Sequence, residues 1–304
     1  MRIMVEPQQV VHALTDELGL GPVVRVEPVE QGWFNEVFRV ELGDRSVFVR
    51  INRDREAFPR ELAAYQRGAD CGMPVPDVVA YLPHSVTLDA PMLVLGEITG
   101  EPLGTSPPGR NARQRLHEQA GAMLRRLHAA PIDGYGTLTL RDGVLRGASS
   151  SWRNYWLVDN TYDRDLEAIA RDGPVSGSEW ARVERAIDTM VAVEVGPARF
   201  LHNDFHGAHI FTDGRAITGV IDFGNALAGD PRYDIAMARY FCEPFEAEAF
   251  TRGYGDVALD PMVQTYGVYV AAIKVLWSQR TGNEAGVEWG VAALRRALTI
   301  HSGA

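Results

Sequence analysis

The spacing of apolar residues changes character about a third of the way along this chain, and that change constrains the fold more than any other feature. Val23 to Val29, Glu36 to Leu42 and Ser46 to Ile51 read as short extended runs, and Gly43-Asp44 between the last two is a tight hairpin signal. A second extended pair spans Val78 to Leu82 and Met92 to Leu95, and a helical stretch runs from Phe58 to Gly72 ahead of it. Met73-Pro-Val-Pro-Asp77 ends that helix, because its two prolines force extended backbone. A short amphipathic helix from Pro7 to Leu18, stopped by Gly19-Leu20-Gly21, precedes the strands. Together these segments predict an α+β unit, a small antiparallel five-stranded sheet with one helix packed on it.

Beyond Gly100 to Gly109, a connection stiffened by Pro102, Pro107 and Pro108, the pattern turns helical. Ala112 to Ala129, Glu179 to Val193 and Val263 to Gln279 carry apolar residues at helical spacing, and Phe200 to Ile221 interrupts them with strand-turn-strand signals. The expectation is a bilobal chain, residues 1–98 forming a sheet lobe and residues 99–304 a larger, mainly helical lobe. A length of 304 residues, roughly twice the usual domain, suits that division.

Thirty basic against forty acidic side chains leave a net charge of −10, which excludes a general affinity for nucleic-acid backbone or anionic lipid and suits a cationic partner. The basic residues are arginines with one exception, Lys274, far along in the helical part. Cys71 and Cys242 have neither metal spacing nor the density of a disulfide scaffold, so reduced thiols are expected. Glu6, Asp16 and Glu17 break the N-terminal apolar pattern, so neither a secretory nor a membrane segment is expected and the location should be cytoplasmic.

The chemistry concentrates in the interruption: Leu201-His-Asn-Asp-Phe-His-Gly-Ala-His209, then Val220-Ile-Asp222-Phe-Gly224, then Gly229-Asp-Pro-Arg-Tyr-Asp234. Asp204 and Asp222 flank the turn signal Asp213-Gly214, which puts both carboxylates at one end of a hairpin. Phosphoryl transfer needs such a pair, one carboxylate to orient the attacking hydroxyl and one to hold magnesium against the donor's phosphates. A kinase catalytic loop has a histidine two positions before its aspartate, a metal-binding residue five after, and a later Asp-Phe-Gly; His202, Asp204, His209 and Asp222-Phe-Gly224 repeat that layout. Asp230 and Asp234 read as acids that cap turns.

On these segments, and on Leu127-His128 in the first large helix, the chain resembles the aminoglycoside phosphotransferase family of antibiotic kinases, with a protein-kinase-like fold, over nearly its whole length. Ser46 to Pro76, Ser151-Trp-Arg153 and Ile217 to Pro244 look most like hygromycin B phosphotransferases, and macrolide phosphotransferases are a weaker match. The resemblance implies transfer of the γ-phosphoryl group of ATP or GTP, with Mg2+, to a hydroxyl of an aminoglycoside. It makes Asp204 the base or hydroxyl-orienting group, Asp222 a magnesium ligand, and His202 a residue that holds the loop by hydrogen bonding. Gly32 in Glu30-Gln-Gly-Trp-Phe-Asn-Glu36 takes the place of the phosphate-covering turn. With Lys274 so distant, the phosphate-holding cation of the third strand falls to Arg50, paired with Glu61 on the following helix. The carbonyl of Gly96 and the amide of Ile98 match the hinge that binds the adenine edge.

His209 stands where most members have asparagine, and imidazole suits magnesium less well than oxygen does. Direct metal binding, orientation of a metal-bound water and simple packing all remain open for it. His206, on the same loop, is expected to be structural. For the acceptor, Asp159 and Asp163 in one acidic stretch and Glu243 and Glu246 in another are candidates to line an anionic cleft, walled by Trp152, Tyr155, Trp156 and Trp277. Two alternatives stand beside the aminoglycoside: a macrolide or metabolite alcohol as acceptor, and a nucleotide-binding pseudokinase-like regulatory module, which Arg50 and His209 keep open.

Overall fold

Alternation along the N-terminal strands sorts their side chains onto two faces, and the sheet they build is closed by a helix on each. In the computed structural model, which describes residues 5–29, 35–105, 109–160, 166 and 173–301, α1 (Pro7–His12) leads through one π-wound turn into β1 (Val23–Pro28) and β2 (Glu36–Leu42). β3 (Ser46–Ile51), α2 (Ala57–Asp70), β4 (Val78–Ser85) and β5 (Ala90–Gly96) come next, and the five strands pair antiparallel in the order β1-β2-β3-β5-β4. Phe38, Val49 and Val94 stand in register across three strands and pack on Val10, Ala13 and Leu14 from the α1 side. A strand's period of two then sends Arg50, neighbour to Val49, to the opposite face, where α2 lies.

The connection out of the sheet is more than a linker. Its Glu101–Pro102 is a short strand, β6, that pairs with a strand of the second lobe. Then come α3 (Arg110–His128), β7 (Tyr135–Arg141) and β8 (Val144–Ser149), one helical turn α4 (Trp152–Asn154), and α5 (Gly177–Ala192). The β7–β8 hairpin corrects the expectation that a single strand-turn-strand stretch interrupts the helices. Its turn is Asp142-Gly143, both at positive φ, the backbone that two-residue hairpins need. Its alternation is faint because few of its side chains are buried.

β9 (Arg199–Leu201), β10 (Ile210–Thr212), β11 (Ile217–Val220) and β12 (Leu227–Gly229) carry the loops of interest, followed by α6 (Pro231–Tyr240), α7 (Pro244–Tyr254), α8 (Pro261–Arg280) and α9 (Glu284–His301). α8 is apolar on nearly all sides and runs through the core of this lobe, burying Val263, Tyr266, Val270 and Val275 among others. Among the described residues no helix is long and apolar enough to cross a membrane.

α3 and α7 cross at glycine contacts. A Cβ on Gly253 would lie 1.9 Å from the carbonyl oxygen of Glu118, and one on Gly121 2.1 Å from that of Phe250. Gly253→Ala must therefore push the helices apart, and we expect a loss of about 1–3 kcal/mol, read from the urea midpoint at unchanged m-value.

Candidate active site

The β10–β11 hairpin turns at Asp213, whose carboxylate accepts the backbone N–H groups of Arg215 and Ala216, both at 2.8 Å. The loop entering β10 and the residues leaving β11 thus lie together at the other end, with Ile221 N–H donating to the His209 carbonyl at 3.0 Å. The loop is held from below by Asp234, which is fully buried. Its carboxylate accepts the N–H groups of His202 (2.8 Å) and Asn203 (2.9 Å) and lies 2.9 Å from His128 Nε2 at the end of α3; His128 Nδ1 is 2.7 Å from the Tyr254 hydroxyl on α7. Asp234 is therefore an anchor for the loop rather than a turn cap, whereas Asp230 does cap α6, accepting from Arg232 N–H at 3.0 Å. From the other side, Gly104 N–H donates to the Gly207 carbonyl at 2.9 Å, tying the loop to the inter-lobe connection.

His202 is oriented by two opposite bonds. Nε2 donates to the Ile221 carbonyl at 3.0 Å and Nδ1 accepts from the Asp204 N–H at 3.2 Å, a pairing only the neutral ring can make. Burial accordingly pushes its pKa down to about 4.

Above this frame the charges form a chain across both lobes. Glu61 on α2 pairs with Arg50 on β3, both largely buried, and Arg50 Nη2 lies 3.9 Å from Asp222 Oδ1. Asp222 takes a left-handed backbone, φ 66°, and its N–H donates to the Tyr65 hydroxyl at 3.1 Å. His209 stands between the two aspartates: Nδ1 donates to the Asp204 carbonyl at 2.9 Å, and Nε2 lies 3.6 Å from Asp222 Oδ2. Asp204 Oδ1 in turn lies 3.4 Å from His206 Nε2 and 3.5 Å from Lys274 Nζ. Burial alone would raise the Asp204 pKa; the His206 hydrogen bond and the charge of Lys274 hold it instead far below the usual carboxylate range. Burial likewise opposes the charge on Arg50, and Glu61 more than restores it.

Residues 25–267 match the model of the phosphotransferase enzyme family, APH. The chain belongs to that family. Hygromycin-B 4-O-kinase of Escherichia coli is 23% identical over 272 residues, covering 86% of this chain and 76% of that protein. The fold is shared with a thermostable variant of aminoglycoside phosphotransferase APH(4)-Ia, solved as a ternary complex with AMP-PNP and hygromycin B: the TM-score is 0.78 at 19% identity, over 97% of this chain and 99% of that one. A GDP complex of an aminoglycoside 2'-phosphotransferase-IIIa mutant superposes with a TM-score of 0.72 at 15% identity, over 98% and 99% of the two chains. The fold is thus the protein-kinase-like one of the aminoglycoside phosphotransferases, and the chain is a phosphotransferase.

Within this family fold the structure brings Asp204, Asp222, His209, Arg50 and Glu61 together, although Arg50 and Glu61 lie some 150 residues upstream of the others. Gly96 ends β5, donating its N–H to the Asp77 carbonyl at 2.8 Å, and Ile98 packs on the hairpin, where a Cβ at Gly219 would lie 2.4 Å from its Cδ1. Gly32 and Asp163 lie outside the described residues. Of the acidic candidates, Asp159 is exposed and accepts from the Ser149 hydroxyl, and Glu243 is exposed at the start of α7. Glu246 does not line an open cleft: it is 3% exposed and neutralised by Arg113. Trp152 and Trp156 are buried in the core, with Trp152 Nε1 donating to the Tyr266 hydroxyl, so neither walls a cleft.

Two corrections concern the neighbours of Asp204. His206 is not only structural, since its ring meets the carboxylate directly. Lys274, distant in sequence, is brought by α8 to the same oxygen, and Phe241 stacks near both, its ring centroid 5.2 Å from Nζ and 4.3 Å from the His206 ring. One signal pointed there: Lys274 is the single charged residue between Pro261 and Gln279.

The neutral His202 makes stability depend on acid. Below the ordinary imidazole pKa of about 6.5 the unfolded chain takes up a proton that the folded chain refuses until about pH 4, so stability falls by up to about 1.4 kcal/mol per pH unit. His206 and His117, whose pKa values burial also lowers, add in the same direction. Urea midpoints should drop between about pH 6.5 and pH 5; a flat profile would contradict a neutral buried His202.

Proposed function

We propose that this phosphotransferase moves the γ-phosphoryl group of ATP or GTP to a hydroxyl of an aminoglycoside of the hygromycin type, inactivating it. The observation that carries the reading is the row Arg50, Asp222, His209 and Asp204, in which two carboxylates stand one imidazole apart with a cation on the donor side of the first. Residues 1–98 hold the nucleotide and 99–304 supply the loop and the acceptor site. The enzyme is cytoplasmic, as its nucleotide donor requires.

Each residue has a place in that reaction. The hinge at Gly96 and Ile98 receives the base, Gly32 covers the phosphates, and Arg50, fixed by Glu61, holds their oxygens through a fork that cannot lose its proton. Asp204 accepts a hydrogen bond from the acceptor hydroxyl and aims its lone pair at the phosphorus. Its low basicity suits a loose transition state, in which the hydroxyl gives up its proton late, and the contribution is orientation.

The donor set fits magnesium. His209 Nδ1 is spent on a carbonyl, so its Nε2 lone pair faces the Asp222 carboxylate oxygen across 3.6 Å, two acceptors with no hydrogen between them. Asp222 would hold the ion through oxygen, and His209 would accept a hydrogen bond from one of its waters. Bound there, magnesium neutralises the phosphate oxygens of the donor. The acceptor is cationic in this reading because the chain carries −10 overall, with Asp159 and Glu243 exposed on the acceptor lobe.

A phosphorylation screen over aminoglycosides, macrolides and small alcohols, with ATP and with GTP, tests this directly. Product from hygromycin B or a relative is expected, and product from none would favour a regulatory pseudokinase. Asp204→Asn should lower kcat on the order of 10³-fold with the melting temperature kept. Asp222→Ala should weaken magnesium-dependent nucleotide binding by calorimetry, and unchanged magnesium dependence would remove Asp222 from that role.

A further inference from the structure

α8 is a core helix, and a charged side chain in its middle needs a reason. Lys274 sits between Ile273 and Val275, with Ala272, Val275 and Leu276 buried around it. A methionine would fill the position at less cost, since lysine gives up its hydration there. Among the described residues its ion pair is with Asp204 alone: Nζ lies 3.5 Å from Oδ1 and over the face of Phe241, and the side chain remains 23% exposed. The ammonium is thus partly open to solvent, with no second anion among the described residues to hold it back.

The charges around it say what it faces. Arg50 is committed to Glu61 and lies 3.9 Å from Asp222, on the donor side. On the acceptor side a phosphoryl group arriving at an oxygen held by Asp204 comes against a carboxylate of its own sign. Within reach of that point are Lys274 and two imidazoles, His206 and His209. Resting on the proposed function of this site, we propose that Lys274 is a further catalytic residue, whose ammonium turns from Asp204 Oδ1 to the oxygens of the phosphoryl group in transit.

The step balances without any proton from the lysine. The acceptor oxygen forms its bond to phosphorus as the bond from phosphorus to the bridging oxygen breaks, and that electron pair leaves with the nucleoside diphosphate. The hydroxyl proton passes to Asp204. Lys274 keeps its charge throughout, and the flexible four-carbon stem lets Nζ follow the phosphoryl oxygens while Phe241 supports it.

The test compares Lys274→Met, which suits an apolar helix, with Lys274→Arg, which keeps the charge, both in the full chain. Lys274→Met should melt no lower than the unsubstituted protein and bind AMP-PNP and acceptor within about threefold, while kcat falls on the order of 100-fold. Lys274→Arg should recover at least about tenfold of that loss. Retention of more than about a third of kcat by Lys274→Met, a loss confined to KM, or an arginine variant as slow as the methionine one would each overturn the proposal. Hydrolysis of ATP by water without acceptor is measured alongside. A protein that hydrolyses ATP but phosphorylates no alcohol defeats the acceptor reading, and the lysine's role then stands or falls on whether Lys274→Met slows that hydrolysis on the order of 100-fold.

Discussion

A single buried carboxylate fixes the shape of the site. Asp234 gathers two consecutive N–H groups of the loop and an imidazole from α3, and without it those donors would face an interior that offers no water. The rest of the loop depends on that grip. His202 is set against Ile221, which sets the spacing between loop and hairpin, and Asp204 and Asp222 inherit their separation from it. The α3–α7 contact belongs to the same construction, because the close approach at Gly121 and Gly253 joins the helices that carry His128 and Tyr254. Helix packing far from the charged row thereby decides where its members stand.

The row itself is an electrostatic compromise. Three carboxylates, Glu61, Asp222 and Asp204, crowd against Arg50 and Lys274, with His206 and His209 between. Such a site repels a nucleotide unless its cations stand at the two ends, one from each lobe, and that is their arrangement. The left-handed backbone at Asp222 contributes as well, since it turns the carboxylate towards His209 and Arg50 at a cost the fold absorbs elsewhere.

Local chemistry was legible in the sequence, and contacts across long separations were not. The strand signal from Ser46 to Ile51 made Arg50 the one basic residue available on the third strand, and the Asp213-Gly214 turn brought the two acids to one end of a hairpin. Both come from backbone period and turn preference. The β7–β8 hairpin escaped because its strands bury too little for a pattern to form, although Asp142-Gly143 marked its turn. Asp234 looked like a cap, since a cap and an anchor are the same residue type near a helix start. Trp152 and Trp156, read as part of a ligand wall, are core instead, which is the common fate of large apolar rings. Lys274 was dismissed on its distance in sequence, and α8 carries it 70 positions back to Asp204.

That placement has a practical side. A chain with one lysine presents one ε-amine, so an amine-directed reagent meets a single side-chain target besides the α-amino group. Because this target lies 3.5 Å from Asp204, a label on it is a label beside the candidate active site. A fluorophore or an isotopic methyl group placed there needs no mutagenesis to be specific among the side chains, and its signal reports on the surroundings of Asp204.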